Sequence, residues 1–303
     1  MFTILRDFIK DNSKRKPERP IPLEPIDTST IQATKQGKII WFGHSTVLLE
    51  IEGKRLLLDP IFSNYPSPFP LFGGKRFSKV LPVEPKNLPP IDFVILSHDH
   101  YDHLDYNSIM QLKDKTSLFC VPFGVGKRLE KWGVDQGKIR EFDWWNEVSI
   151  AGLTLACTPA RHFSGRTLFD RNTTLWCSWV ITGQQTRVFF SGDGGYGPHF
   201  EQIGKKYGPF DLTLMECGQY DERWSTIHMM PEETVQAHID VKGNIMIPIH
   251  WAAFSLAFHD WTDPIERVTK AAKGRNISIS TPKIGEPVII GSAEYPASIW
   301  WMS

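Results

Sequence analysis

Residues 97–105 read SHDHYDHLD. His98, His100 and His103 fall within six positions, with Asp99 and Asp102 between them and Asp105 close behind. Imidazoles and carboxylates are the common ligands of borderline-hard divalent metals, and such a set suits zinc, iron or manganese. In an extended segment residues i and i+2 project to the same side, so His98 and His100 can reach one ion together. Once the chain turns, Asp102 and His103 project to a neighbouring position, and one stretch can serve two adjacent metals. Two metals need more than four donors. His162, Asp193 and His250 follow the apolar runs LTLACTPAR, RVFFSG and NIMIPI. Taken singly each reads as a surface or turn residue. Beside the cluster they read as further ligands, because strand tips at one sheet edge gather in space. Two divalent ions about 3.5–4 Å apart lower the pKa of water, polarise a substrate oxygen and stabilise developing charge, which is hydrolysis without a protein nucleophile. No GxSxG elbow and no GxxxxGK[ST] loop is found, so neither a serine hydrolase nor a P-loop NTPase is supported.

The elements that must position these donors follow from the apolar pattern. KIIWFG, TVLLEIEG and KRLLLDP read as a hairpin-rich start with a tight turn at Gly53. IDFVILS is a fully apolar strand that ends at the histidine cluster. SIMQLKDK and the end of GVGKRLEKWGV read as helices, and SLFCVPF as a strand. VSIAGLTLACTPA, LWCSWVITG, TRVFFSGD, DLTLMECG and NIMIPIH read as strands. PEETVQAHIDV is a helix opened by Pro231 with acids in its first turn, and PIERVTKAAK a final one. Strands followed by helices predict a layered α/β fold with buried sheets. Residues 62–90, rich in Pro, Gly and Phe, predict a long functional or lid-like loop. Residues 1–36 predict an appendage to a domain spanning 37–303. Phe2, Leu5, Phe8 and Ile9 make one apolar helical face before the basic run KRKPER, a pattern that fits either a membrane-surface anchor or a helix packed on the main domain.

The 303 residues are 41% hydrophobic, enough for a large core, and Lys+Arg and Asp+Glu are both 34. Zero net charge argues against a nucleic-acid partner bound through bulk positive charge. Cys120, Cys157, Cys177 and Cys217 form no CxxC pair and predict buried thiols in a reducing, cytoplasmic setting. No apolar run of about 18 residues predicts a spanning helix.

The donor order His98-x-His100-x-Asp102-His103, then His162, Asp193 and His250, resembles the metallo-β-lactamase superfamily from about Lys38 to about Lys270. That resemblance implies a four-layer αβ/βα sandwich with a binuclear site at one edge, between the sheets. It implies His98, His100 and His162 on one ion, Asp102, His103 and His250 on the other, and Asp193 between them, with zinc as the expected metal. It places Asp59 of LLLDP beneath the metals, orienting a ligand histidine. His44 of FGHST, another histidine at a strand end, reads as a second such supporting residue. As ordinary residues both would be turn or capping positions.

Longer strings are more specific. WFGHST, LLLDPIFS, SHDHYDHLD, PARHFSGR, GDGGYGPHF, HMMPEETVQAH and PIHWAAF resemble the N-acyl-phosphatidylethanolamine-hydrolysing phospholipase D-like branch. Asp99 departs from it, standing where that branch often carries Asn. The branch implies a phosphodiesterase releasing phosphatidic acid and an N-acylethanolamine. It implies a bilayer-facing groove, for which residues 62–77 and the N-terminal apolar face are candidates, and peripheral membrane contact or a homodimer. Asp102 and His228 are the catalytic candidates, His228 facing the substrate phosphate. As an ordinary residue His228 would be a surface histidine leading into a helix. Rival readings are a lactonase or small-phosphodiester hydrolase on the same scaffold, a tRNA 3′-processing nuclease, and a non-catalytic metal-bearing scaffold.

Overall fold

The first three strands set the pattern of the molecule. A computed structural model describes residues 13–28, 31, 36–67 and 74–302. β1 (Lys38–Trp41), β2 (Val47–Ile51) and β3 (Lys54–Leu58) form an antiparallel meander turning at Gly53, whose φ is +75°. Alternate side chains enter different cores. Ile39, Trp41, Val47, Leu49 and Leu56 face the second sheet, whereas Ile40, Leu48 and Leu57 face the outer helices. A strand alternates its faces with a period of two. A sheet covered on both sides therefore reads as largely apolar runs, here interrupted at Lys38, Glu50, Lys54 and Arg55.

The first sheet continues through β4 (Ile91–Ile95), β5 (Thr116–Pro122) and β6 (Ile139–Phe142), all parallel to β3. The second sheet takes β7 (Glu147–Ile150), β8 (Leu153–Thr158), β9 (Ser178–Thr182), β10 (Arg187–Phe190), β11 (Phe210–Glu216), β12 (Gly243–Ile249) and β13 (Ser278–Ile279). β14 (Pro287–Ile289) returns to pair with β1. Each sheet has seven strands, ordered β14-β1-β2-β3-β4-β5-β6 and β13-β12-β11-β10-β9-β8-β7. Helices α1 (Tyr106–Leu112) and α2 (Gly126–Lys131) cover the first sheet through Ile109, Leu112 and Leu129. Helices α3 (His199–Lys206), α4 (Pro231–Asp240) and α5 (Asp263–Gly274) cover the second through Phe200, Ile203, Val235, Ile265 and Val268. This is the four-layer αβ/βα sandwich that the motif order implied.

Differences from the sequence reading have local causes. α1 starts at Tyr106, before the expected SIMQLKDK, because Asp105 caps it by accepting from the Ser108 N–H at 3.1 Å. α3 was not anticipated, since Gly204 interrupts its pattern. That glycine is required: a Cβ there would lie 2.1 Å from the Asp240 carbonyl oxygen of α4. β6, β13 and β14 are too short to show a period. The described part of residues 62–90 carries one short turn of 3-10 helix, Pro85–Asn87. Buried Arg76 ties it down, donating to the Ile61 carbonyl at 2.7 Å and the Ser63 carbonyl at 3.2 Å. Residues 68–73 and the apolar face of Phe2, Leu5, Phe8 and Ile9 lie outside the described residues. Downstream of that face the chain lies along the sandwich, with Ile21 buried in the inter-sheet core. All four cysteines are buried free thiols, as expected. Among the described residues no helix is long and apolar enough to cross a membrane.

Candidate metal centre

The turn after β4 carries His98, His100, Asp102 and His103 to the sheet edge, where the tips of β8, β10 and β12 bring His162, Asp193 and His250. His98, His100 and His162 form one group of donors. His44, Asp102, His103 and His250 form a second, with all donor atoms of a group within 4.8 Å of one another. Asp193 lies between them. Its Oδ2 is 3.9 Å from His98 Nε2 and 3.0 Å from His103 Nε2, and its Oδ1 is 3.2 Å from His250 Nδ1. All seven residues expected as ligands therefore meet in one place.

Hydrogen bonds behind the donors fix which nitrogen faces inward. His162 Nδ1 lies 2.8 Å from the Ile227 carbonyl, which can only accept, so Nδ1 carries the proton and Nε2 points its lone pair at the centre. His103 does the same through Asp59, whose Oδ2 is 2.7 Å from Nδ1. Asp59 is itself held by the Ser97 N–H at 2.7 Å and by the Ser97 hydroxyl. His98 Nδ1 meets the Ser97 hydroxyl at 2.9 Å. His44 Nε2 lies 2.8 Å from Asp102 Oδ2 and its ring packs 4.2 Å from His250. Asp59 and His44 thus sit where residues that orient ligands belong.

Four of the eleven non-glycine residues with positive φ among the described residues lie here. His44, Asp59, Gln219 and His250 are non-glycine residues with positive φ (53°, 38°, 63° and 66°), a conformation that persists only where surrounding packing enforces it. Gly192, with φ +57°, precedes Asp193, and a Cβ there would lie 2.7 Å from Ser97 Cβ.

These residues fit a cation. His103 Nε2 and Asp193 Oδ1 are buried without a hydrogen-bond partner, a costly arrangement unless an ion takes the lone pairs. His100 Nδ1 lies 2.9 Å from His98 Nε2 and 3.1 Å from His162 Nε2, so three imidazole nitrogens converge where one proton cannot satisfy them all. Burial holds His98, His162 and His250 well below the ordinary histidine value, keeping them neutral and able to ligate. Burial alone would also lower His103, but Asp193, Asp102 and Asp59 around it push it well above. Burial would raise Asp102 and Asp193, and His103 foremost holds both well below the usual carboxylate range. Negative charge concentrated this way draws a proton onto His103, and would draw a divalent cation to the same place.

A cavity of about 280 Å³ opens over the donors. His100, Asp102, His162, Asp193, His228 and His250 form its polar side, and Phe163, Trp224, Ile227 and Leu256 its apolar walls. His228 stands at its edge, its ring 5.1 Å from His162 and stacked 5.2 Å from His250. The partner of His228 was not anticipated. Glu216, at the tip of β11, is fully buried and lies 3.2 Å from His228 Nδ1 through Oε2. Its Oε1 accepts from the N–H groups of Met229 at 2.9 Å and Gly194 at 3.2 Å. Burial pushes the Glu216 carboxyl up to about 7 against the pull of His228. Burial would lower His228, but Glu216 raises it. The signal was present: an acid ending the apolar run DLTLME resembles Asp193 ending RVFFSG. Gln219 gave no such signal. Its side-chain amide donates to the carbonyl of Phe254 at 3.1 Å and accepts the Leu256 N–H at 2.8 Å, holding one wall.

The sequence profile of the beta-lactamase superfamily domain matches residues 54–251, the segment that carries every donor named above except His44. The chain belongs to this superfamily. Among relatives of the superfamily member, an uncharacterized protein of Mycobacterium tuberculosis is 44% identical over 94% of this chain and 77% of its own length. The N-acyl-phosphatidylethanolamine-hydrolyzing phospholipase D 1 of Caenorhabditis elegans is 29% identical over 93% of this chain and 85% of its own. That likeness agrees with the branch named by the motifs. Igni18, a metallo hydrolase of the archaeon Ignicoccus hospitalis, superposes with a TM-score of 0.62 over 84% of this chain and 97% of its own, at 22% identity, which speaks to the fold alone. Superfamily membership and the His/Asp clusters make this chain a metal-dependent hydrolase.

Proposed function

We propose that the chain is a binuclear, zinc-dependent phosphodiesterase of phospholipase D type, cleaving N-acyl-phosphatidylethanolamine to phosphatidic acid and an N-acylethanolamine, and working in peripheral contact with a membrane. His98, His100 and His162 would hold one ion, and Asp102, His103 and His250 the other, with Asp193 between them. Divalent ions there supply Lewis-acid polarisation and lower the pKa of water. The observation that carries the reading is the Glu216–His228 pair at the edge of a cavity with a polar floor and apolar walls. Glu216 binds His228 Nδ1, which leaves Nε2 as the nitrogen available to a phosphate oxygen or a departing alkoxide. A histidine whose proton affinity is raised by a carboxylate is suited to give a proton to the leaving group and recover it afterwards. Phe163, Trp224, Ile227 and Leu256 restrict water around the reacting bond. The worm relative named for this reaction supports the lipid substrate.

A second reading has its own support. The cavity's 280 Å³ is at the low end for ligand pockets and suits a small phosphodiester or a lactone. One experiment separates the two. Zinc-loaded protein is mixed with vesicles carrying N-acyl-phosphatidylethanolamine and, separately, with soluble diesters and lactones, and products are identified by mass spectrometry, with Asp102→Ala as control. Phosphatidic acid and N-acylethanolamine from the wild type alone are expected. Turnover of the soluble compounds only would discard the lipid substrate.

A further inference from the structure

Leu168 is 84% exposed and Phe169 95%, the two most exposed large apolar side chains among the described residues. They form the tip of a loop whose base is closed by Asn172 N–H to the Ser164 carbonyl at 2.9 Å and by the Ser164 hydroxyl to the Thr174 carbonyl at 2.6 Å. Such a tip would ordinarily fold inward. Here it is braced outward. Asp170 Oδ1 accepts from the N–H groups of Arg166 at 2.9 Å and Thr167 at 2.7 Å, while its Oδ2 takes the Arg128 guanidinium at 2.8 Å. Asp99, between the donors His98 and His100, accepts the Gly165 N–H at 2.8 Å and Arg128 Nε at 2.9 Å. The position that departs from the related branch thus ties the loop to the metal centre. Compact loops held in one shape are frequently functional.

The loop also has a charged collar and a direct route to the cavity. Arg171 stacks 4.2 Å over Phe163, whose ring lies 4.4 Å from His100 and lines the cavity. Arg128 bridges Asp99 and Asp170, and Glu141 accepts from the N–H groups of Gly124 and Gly126 while keeping its charge. Around the loop Arg128, Arg166, Arg171, Lys127 and Lys131 exceed Asp99, Asp170, Glu130 and Glu141 by one charge, and Arg171, Lys127 and Lys131 are exposed beside a third exposed apolar side chain, Phe123, 65% exposed. Phe123 adjoins the loop through its carbonyl, which accepts the Leu175 N–H at 2.8 Å.

We propose that the 164–174 loop is a membrane-docking device that inserts Leu168 and Phe169 into the surface of an anionic bilayer, with Arg171 and Lys127 at the level of the lipid phosphates. A braced apolar tip with a basic rim is complementary to such a surface in both chemistry and charge. A protein partner or a second copy fits less well, because a stable interface needs roughly 800 Å² on each side, far more than a few side chains offer. The inference deepens the lipid reading of the site and rests on it for the purpose of docking, but docking itself is measurable without turnover.

The test uses the whole zinc-loaded chain and sedimentation with phosphatidylcholine vesicles, with and without phosphatidylglycerol. The wild type should bind the anionic vesicles more tightly than the neutral ones. Leu168→Ser with Phe169→Ser should weaken that binding at least about tenfold. Turnover of soluble bis(4-nitrophenyl) phosphate and the mass measured by light scattering should not change. Phe169→Trp should show a blue-shifted emission on vesicles. Absence of wild-type binding, undiminished binding by the double variant, or equal binding to neutral vesicles overturns the proposal. A dimeric wild type made monomeric by the double variant overturns it in favour of a second copy. Intact docking without hydrolysis of N-acyl-phosphatidylethanolamine would instead overturn the substrate and leave the docking loop standing.

Discussion

The first sheet supplies its donors from one turn: His98, His100, Asp102 and His103 leave the end of β4 together, with His44 and Asp59 from neighbouring strand ends. The second sheet supplies His162, Asp193, Glu216 and His250 one at a time, from the tips of β8, β10, β11 and β12, and His228 ahead of α4. Concentrated donors are built by one local turn, whereas dispersed donors depend on the register of four strands. All four histidines of the first half lie at the centre. Of the six in the second half, His199, His238 and His259 lie outside the donor groups. The difference implies that substitutions in the first half disturb several donors at once, while those in the second remove one function each.

Asp193→Asn is expected to have the largest effect, because that carboxylate touches both donor groups. Turnover should fall about a thousandfold or more with an unchanged circular dichroism spectrum. A fully active, fully metallated variant would remove Asp193 from its central place. Next come His228→Ala and Glu216→Gln, each expected to lower turnover about 10²–10⁴-fold while metal content measured by plasma mass spectrometry holds. Loss of metal in either would make the pair structural. In the first half, Asp59→Asn should weaken metal affinity about 10–100-fold in a chelator competition, since it sets the tautomer of His103. Unaltered affinity would mean that the turn alone orients that ring.

The smallest effect tests the surplus histidines. Burial lowers both His199 and His238 to about 4 from the ordinary 6.5. Groups depressed in the folded state contribute stability fully above the unfolded value, about 6.5, and lose it as pH falls toward 4, because the unfolded chain then binds more protons. Each should cost on the order of 1–3 kcal/mol across that window. Urea denaturation at about pH 7.5 and about pH 5 should show the loss, and His238→Gln should reduce its slope. An equal slope in the variant would place the acid sensitivity elsewhere.

Legibility in the sequence followed the same divide. HxHxDH announces itself because four ligands in six residues are rare by chance. His162, Asp193 and His250 were found through the apolar strands before them, which burial on both faces makes continuous. Glu216 sits at an equivalent tip but was missed, since its role lies in the partner, His228, twelve residues on and joined only by the fold. Gln219 and the walls Trp224 and Leu256 follow no pattern, because loop backbone and not periodicity places them. The layered sandwich was implied by motif order. α3 was lost to Gly204, whose need arises from a contact with α4 that no local window contains.

Native mass spectrometry of the zinc-titrated chain tests most directly whether the two halves build one binuclear centre. Two ions per wild-type chain, falling to one in His162→Gln, is the predicted result. A single ion in the wild type, or two retained without His162, would contradict it.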